Sequence, residues 1–363
     1  MSIRSRNRLR AAAGAALGTL TRRKPRARPD NPQKILVLHE LLLGDTLMLA
    51  PLLAQLRRRY PAASLLVTVK PEYAVLFAGR PYGAQALPFS ERLPRAARQL
   101  AAARGADLAI LPGENRFALL ARALRARWVV GLAGSRRRLS DRAVDELVDL
   151  PSTPLSLAGI FASLAGASGD IHYRAGDWPA PPCAPFERPA SRYAVLHVGA
   201  GSPLRLWQPD KWRSLAGELA GRGMQVVWSA GPGEATLVHA IDPGGRYGAL
   251  IGPLDLAQLW HLIAGAKLLV ALDSGVSHLA KLVGTPTVVL YGPGSAQLFG
   301  RGEFWRDAAF REVTVPEFPC RDQRHLFKRQ VAWVRRCNRT LDECPRALCM
   351  EAISVDDVRS VIP

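Results

Sequence analysis

The chain is poor in cysteine, aromatics, acids and long apolar runs, and each shortage excludes something. Only five of 363 residues are cysteine, four of them in the last 44, which rules out a disulfide framework spread over the fold and favours a cytoplasmic setting. Aromatics make up 7%, too few for a base-stacking platform, and no nucleic-acid module is recognisable. No apolar run reaches the roughly 18 residues a membrane-spanning helix needs. Acids are outnumbered, 30 against 49 Lys and Arg, giving a net charge of +19. That excess points to an anionic partner: nucleic acid, a membrane surface or a phosphorylated substrate.

What is present is an ordinary globular composition, 48% hydrophobic, on a chain long enough for two domains. Residues 1–33 form a basic arm, with nine Lys and Arg against one acid before residue 31. It reads either as disordered or as an amphipathic segment on an anionic membrane. AAAGAALGTL resembles a short signal-peptide core, but Arg22-Arg23-Lys24 follow and no cleavage site is evident. From Lys34 strands and helices alternate. Strands are expected at 34–38, 64–69, 107–111 and 128–130, and helices at 46–60, 94–104 and 116–125. DWPAPPCAPFERPASR (177–192) holds five prolines in sixteen residues and reads as a linker. Alternation then restarts, with strands at 193–197, 225–229, 268–272 and 287–291 and helices at 209–221, 256–264 and 276–283. The expected class is α/β, with two doubly wound Rossmann-like domains, 34–176 and 193–363, facing an interdomain cleft.

Four stretches could carry chemistry. Gly44-Asp45 falls where the first strand hands over to a helix; Asp45 is either a helix N-cap or a proton acceptor, and Gly44 would let the backbone turn and a substrate approach. HVGAGSPLRLW (197–207) brings Ser202 and Arg205, suited to phosphate oxygens, though its Gly-x-Gly alone signals only a tight turn. SAGPGE (229–234) ends in Glu234, either a ribose ligand or decoration of a first helical turn. DSGVSH (273–278) sets Asp273, Ser274, Gly275 and His278 between a strand and a helix, where amides and the positive helix end suit a diphosphate; the alternative is simple capping. Cys320, Cys337, Cys344 and Cys349 are spaced C-x16-C-x6-C-x4-C, a poor match to C-x2-C zinc knuckles that leaves a structural metal site as the lesser reading.

Gly44-Asp45 with Pro51, HVGAGSPLRLWQPDKW and DSGVSHLAKLVGTPTVVLYGP, in this order, resemble glycosyltransferase family 9, the lipopolysaccharide heptosyltransferase family, over roughly residues 33–360. The resemblance implies a GT-B fold and inverting, metal-independent transfer of heptose from ADP-heptose, a substrate rather than a cofactor, to a hydroxyl of the phosphorylated lipopolysaccharide inner core. It implies Asp45 as general base, Arg205 and Ser202 on the diphosphate, Glu234 on the ribose, and Asp273, Ser274, Gly275 and His278 on diphosphate and sugar. A peripheral position at the anionic inner membrane would then account for Arg57–Arg59, Lys70, Arg116, Arg122, Arg125, Arg127 and Arg136–Arg138. Three features depart from the family pattern: Leu41-Leu42-Leu43 precede Gly44 where polar residues are common, Arg205 replaces the usual lysine, and the Cys320–Cys349 tail is expanded. They bear on the acceptor, so another acceptor (a protein or capsule glycan) or another sugar nucleotide is the alternative. A non-enzymatic polyanion binder is the remote one.

Overall fold

The computed structural model describes residues 27–91, 96–134, 138–166, 169–190, 192–252 and 254–362; most of the basic arm lies outside them. The chain divides into two compact units. The first runs to Thr153 and adds Leu157–Ile171 and His325–Ala332; the second comprises Pro154–Ser156, His172–Arg324 and the chain from Trp333. The proline-rich stretch 177–192 shows no helix among its described residues. It is anchored within the second unit by buried Trp178 and by a 2.8 Å hydrogen bond between His261 Nε2 and the Pro181 carbonyl.

In the first unit, β1 (Lys34–Val37), β2 (Ser64–Val69), β3 (Ala84–Pro88), β4 (Leu108–Leu111), β5 (Trp128–Leu132) and β6 (Glu146–Val148) form one sheet ordered β3-β2-β1-β4-β5-β6. Every pairing is parallel. Helices cover both faces of such a sheet, which is why KILV, SLLVTV and LAIL read as continuous apolar runs. Leu36, Leu66, Ala109, Leu111 and Val129 meet Phe89 and Phe117 in one core. The single helix expected at 46–60 is two, Leu43–Leu47 and Ala50–Arg59. Pro51 explains the break, since it has no N–H to offer the Leu47 carbonyl. The helix expected at 94–104 is a 3-10 segment, Ala96–Ala103.

The second unit repeats the plan. β7 (Tyr193–His197), β8 (Gln225–Ala230), β9 (Gly248–Ile251), β10 (Leu268–Leu272), β11 (Thr287–Leu290) and β12 (Phe310–Val313) are ordered β12-β11-β10-β7-β8-β9, again all parallel. Counted from its own first strand, each sheet has the order 3-2-1-4-5-6 of the Rossmann fold, with a switch point between its first and fourth strands. Leu196, Val226, Trp228, Val270 and Val288 pack with Trp207, Trp212 and Leu215. The chain's end closes this core: Trp207 Nε1 donates to the Ile353 carbonyl at 2.9 Å, and Met350, Ile353 and Val358 are fully buried.

A two-stranded hairpin, β13 (His325–Leu326) and β14 (Arg329–Gln330), belongs to the first unit. Both turn residues, Phe327 and Lys328, are left-handed, φ 47° and 64°, the type I′ geometry that matches strand twist. Buried Arg329 anchors it, donating to the carbonyls of Leu132 (2.8 Å), Gly113 (3.0 Å) and Ala133 (2.5 Å). Among the described residues no helix is long and apolar enough to cross a membrane.

Candidate functional site

Parallel doubly wound sheets present ligand-binding loops at the carboxyl ends of their strands, beside the switch point. In the second unit those loops follow β7 and β10. Asp273 follows β10 directly, and Ser274 occupies the N-cap of the nine-residue helix Gly275–Val283 without making a side-chain cap bond. The Ser274 hydroxyl is buried with no hydrogen-bond partner. The positive helix end is therefore not neutralised by its own cap. Arg205, in the loop after β7, reaches across: Nη1 donates to the Asp273 carbonyl at 2.7 Å and lies 3.6 Å from its Oδ2. Burial pushes the Asp273 carboxyl up, opposed by the charges of Arg205, Lys281 and Arg336.

His278 is buried one turn into the helix. Desolvation, helped by Lys281 and Arg205, holds it well below its ordinary pKa, so the imidazole is neutral. Lys281 Nζ lies 3.4 Å from His278 Nδ1; with the lysine as donor, Nδ1 accepts and Nε2 carries the proton. Lys281 itself is internal structure: it donates to the carbonyls of Phe299 (2.8 Å) and Gly300, and burial brings it down to about 7.

The loops after β7 and β8 interlock through Glu234, whose Oε2 accepts from the Gly231 amide at 2.6 Å. A Cβ at Gly199 would collide with this carboxylate, so the Gly-x-Gly here serves close approach rather than only a tight turn. The Trp207 of the same stretch is core, packed edge-on to Trp212 at 5.2 Å. Ser202 and Arg205 line a cavity of about 130 Å³ with Pro293, Gly294, Phe299 and the tail residues Arg336 to Arg339. A larger cavity of about 540 Å³ shares Gly294 with it and is lined by Gln297, Glu317, Phe318 and Arg321 among others. The sequence reading missed the tail arginines; the signal available was the dense RRCNR run at 335–339, overshadowed by its cysteine.

Asp45 and Gly44 belong to the first unit, after β1 at that sheet's switch point. Asp45 is third in the helix Leu43–Leu47 and is not its N-cap, a position taken by Leu42. Gly44 is helical as well, its carbonyl accepting from Met48 at 3.0 Å, so it makes no special turn. Tyr73 stands close by: burial, Glu72 and Asp45 raise its phenol's pKa while a hydrogen bond with the Leu43 backbone opposes them. A Cβ at Gly113, just beyond β4, would meet the Phe327 and Leu41 side chains at 3.4 and 3.6 Å.

Several arginines expected to form a cationic face hold the fold together instead. Arg57 binds the carbonyls of Tyr82, Pro61 and Ala63, Arg59 those of Ala165 and Gly166. Arg116 sits between Glu40 and Glu91, and Arg122 is buried against Asp145. Arg136 lies outside the described residues, as does Arg137.

Cys320, Cys337, Cys344 and Cys349 are unbridged yet gathered in space. Burial, then Cys337 and Cys344, push the Cys320 thiol up, and Cys349 is pushed up to about 11 chiefly by burial. Among the described residues no group of three or more His, Cys, Asp or Glu side chains is placed to hold a metal ion.

A sequence model of glycosyltransferase family 9 (heptosyltransferase) matches residues 95–329, which takes in the second unit's rim but neither Asp45 nor Arg336. Lipopolysaccharide heptosyltransferase 1 of Escherichia coli K12 is 31% identical over 113 residues, 31% of this chain and 35% of that protein, so the alignment spans about a third of that relative. Lipopolysaccharide heptosyltransferase 2 of Salmonella typhimurium is 28% identical over 297 residues, 72% of this chain and 83% of its own. The solved structure of E. coli ADP-heptose lps heptosyltransferase II superposes with a TM-score of 0.67 at 20% identity, over 91% of this chain and 98% of that one. With the two Rossmann-like sheets, this likeness identifies the fold as GT-B.

Proposed function

The chain belongs to glycosyltransferase family 9, and from that premise we propose that it moves heptose from ADP-heptose to a hydroxyl of the lipopolysaccharide inner core with inversion. The observation that carries the reading is the second unit's rim: Arg205 clasped to Asp273 beside a helix start whose Ser274 hydroxyl is buried and unpartnered. Such a place suits a diphosphate leaving group. As the acceptor oxygen forms its bond to the anomeric carbon, the bond from that carbon to the diphosphate breaks and its electron pair leaves with ADP. Arg205, Ser202, the amide of Gly275 and the Nε2–H of His278 stabilise the developing negative charge. This reading supplies positive charge at the leaving group without a metal ion.

Asp45 takes the acceptor proton in this proposal. A carboxylate oxygen is a fitting acceptor for the proton of an attacking hydroxyl. Glu234, already bound to the Gly231 amide, accepts from the ribose hydroxyls with its remaining lone pairs. The enzyme would work in the cytoplasm, peripheral to the inner membrane, its exposed basic residues meeting phosphorylated lipid; flotation with anionic and neutral vesicles tests that association. For the reaction itself, the purified chain with ADP-heptose and a heptose-deficient core should release ADP. No release with any such core overturns the reading.

A second reading keeps the donor chemistry and changes the acceptor to a protein or capsule glycan. It is favoured by the apolar pair at the first unit's switch point, Leu41 and Phe327 against Gly113, next to the leucines preceding Gly44. Core analysis of a deletion strain separates the two, since an unaltered core excludes lipopolysaccharide as the only target.

A further inference from the structure

Lys281 is 1% exposed, and a buried ammonium is costly unless its protons find acceptors. Among the described residues, three acceptors surround its Nζ: the Phe299 carbonyl at 2.8 Å, the Gly300 carbonyl, and Nδ1 of His278 at 3.4 Å. An ammonium has three N–H donors and no lone pair, so this set matches the charged form. The rings of Trp305 and Phe310, their centroids 5.3 and 4.6 Å from Nζ, favour the cation as well. Asp273 after β10 and Glu312 on β12 attract the same charge, while Arg205 and Arg336 offset that of Asp273. Tyr291, after β11, donates its phenol to the Phe299 carbonyl at 3.0 Å and is held protonated, well above its ordinary pKa, by burial. Against these attractions, desolvation brings Lys281 down to about 7.

Losing a proton leaves an amine with two donors and one lone pair, which must face one of the three neighbours. A carbonyl oxygen has no hydrogen to offer it; an imidazole nitrogen can carry one. The amine therefore keeps both carbonyls and turns its lone pair to His278 Nδ1. His278 stays neutral in both states, held well below 6.5 by burial, Lys281 and Arg205. Its Nδ1 then gains a hydrogen only as Nε2 gives one up. One proton leaves the pair and another changes ring nitrogen through solvent, with no heavy atom required to move.

We propose that Lys281 is a positioning residue for the transfer: protonated, it fixes His278 as the Nε2–H tautomer that donates to the leaving diphosphate, and deprotonated, it fixes the Nδ1–H tautomer, whose Nε2 lone pair opposes that charge. This inference rests on the reading of the Gly275–Val283 helix start as the donor's diphosphate site.

Nitrogen–proton correlation spectra of the full chain, labelled with nitrogen-15 in its histidines, read the tautomer directly; His278→Gln assigns the signal. His278 should be Nε2–H at about pH 6 and Nδ1–H at about pH 8.5, and Lys281→Met should abolish the change. ADP affinity, by calorimetry over the same range, should fall about tenfold further in the wild type than in Lys281→Met. The variant thereby accounts for the titration of ADP itself. One unchanged tautomer across that range in the wild type, a measurement that needs no variant to fold, overturns the inference and spares the donor site. The same tautomer change in Lys281→Met overturns it too, as does an equal pH dependence of ADP affinity in the two chains. A wild-type chain that binds none of ADP, UDP and GDP overturns the donor reading, and this inference with it, even where the tautomer switches.

Discussion

Two sheets of the same strand order carry opposite chemistry at their switch points. After β1 in the first unit stand Asp45 with Tyr73 beside it, and Glu40 and Glu91 around Arg116. After β7 in the second stands Arg205, which shares one cavity with Arg336 and Arg339 of the tail, and after β10 comes a helix start without a side-chain cap. The scaffold dictates only where loops converge; the residues on those loops decide whether a proton or an anion is received. In the proposed reaction one rim takes a proton from the attacking hydroxyl and the other holds the charge that leaves.

The largest effect should come from breaking the acidic side. Asp45→Asn should lower kcat by about a thousandfold, within the range for a lost general base, with the donor KM unchanged in steady-state assays. Next is the hairpin that belongs to the first unit. Arg329→Met removes the donor from the Gly113 and Ala133 carbonyls and one of two from that of Leu132, which keeps Asn115 Nδ2, and should destabilise that unit by about 3 kcal/mol, read as an earlier transition in urea unfolding. Acid should act on both units through buried imidazoles. Burial holds His39 down to about 3, His197 to about 4, and His278 well below 6.5. The unfolded chain protonates these groups below 6.5 while the folded chain keeps them neutral. Stability is therefore full above about pH 6.5 and falls as pH drops, by up to about 1.4 kcal/mol per unit for each imidazole; unfolding midpoints measured between pH 7 and 4.5 check the sign. The smallest change, Gly199→Ala, pushes a methyl group at the Glu234 carboxylate and should cost about 1–2 kcal/mol of ADP affinity, measured by calorimetry.

The central strands were legible because parallel strands covered on both faces must be apolar along their whole length. Tyr193–His197 and Leu268–Leu272 occur at the residues read from sequence. The unread strands, β3, β6, β9 and β12, are the four edges of the two sheets. Edge strands pair on one side and stay partly exposed, so AQALP, ELV, GALI and FREV need no apolar run. At the second rim, DSGVSH and Ser202 with Arg205 could be read because a strand-to-helix turn carrying hydroxyls and a basic group has few structural uses. Arg336 could not, since its place on the cavity wall follows a backbone bridge to Gln323 that no spacing reveals. Likewise the helical position of Asp45 depended on where Pro51 ends one helix and starts the next.

The most direct test of this division of labour is ADP titration of two variants, Asp45→Asn and Arg205→Met. The account expects Asp45→Asn to bind ADP as the wild type does and Arg205→Met to lose about tenfold or more in affinity. Loss of ADP binding in Asp45→Asn together with unchanged binding in Arg205→Met would contradict it.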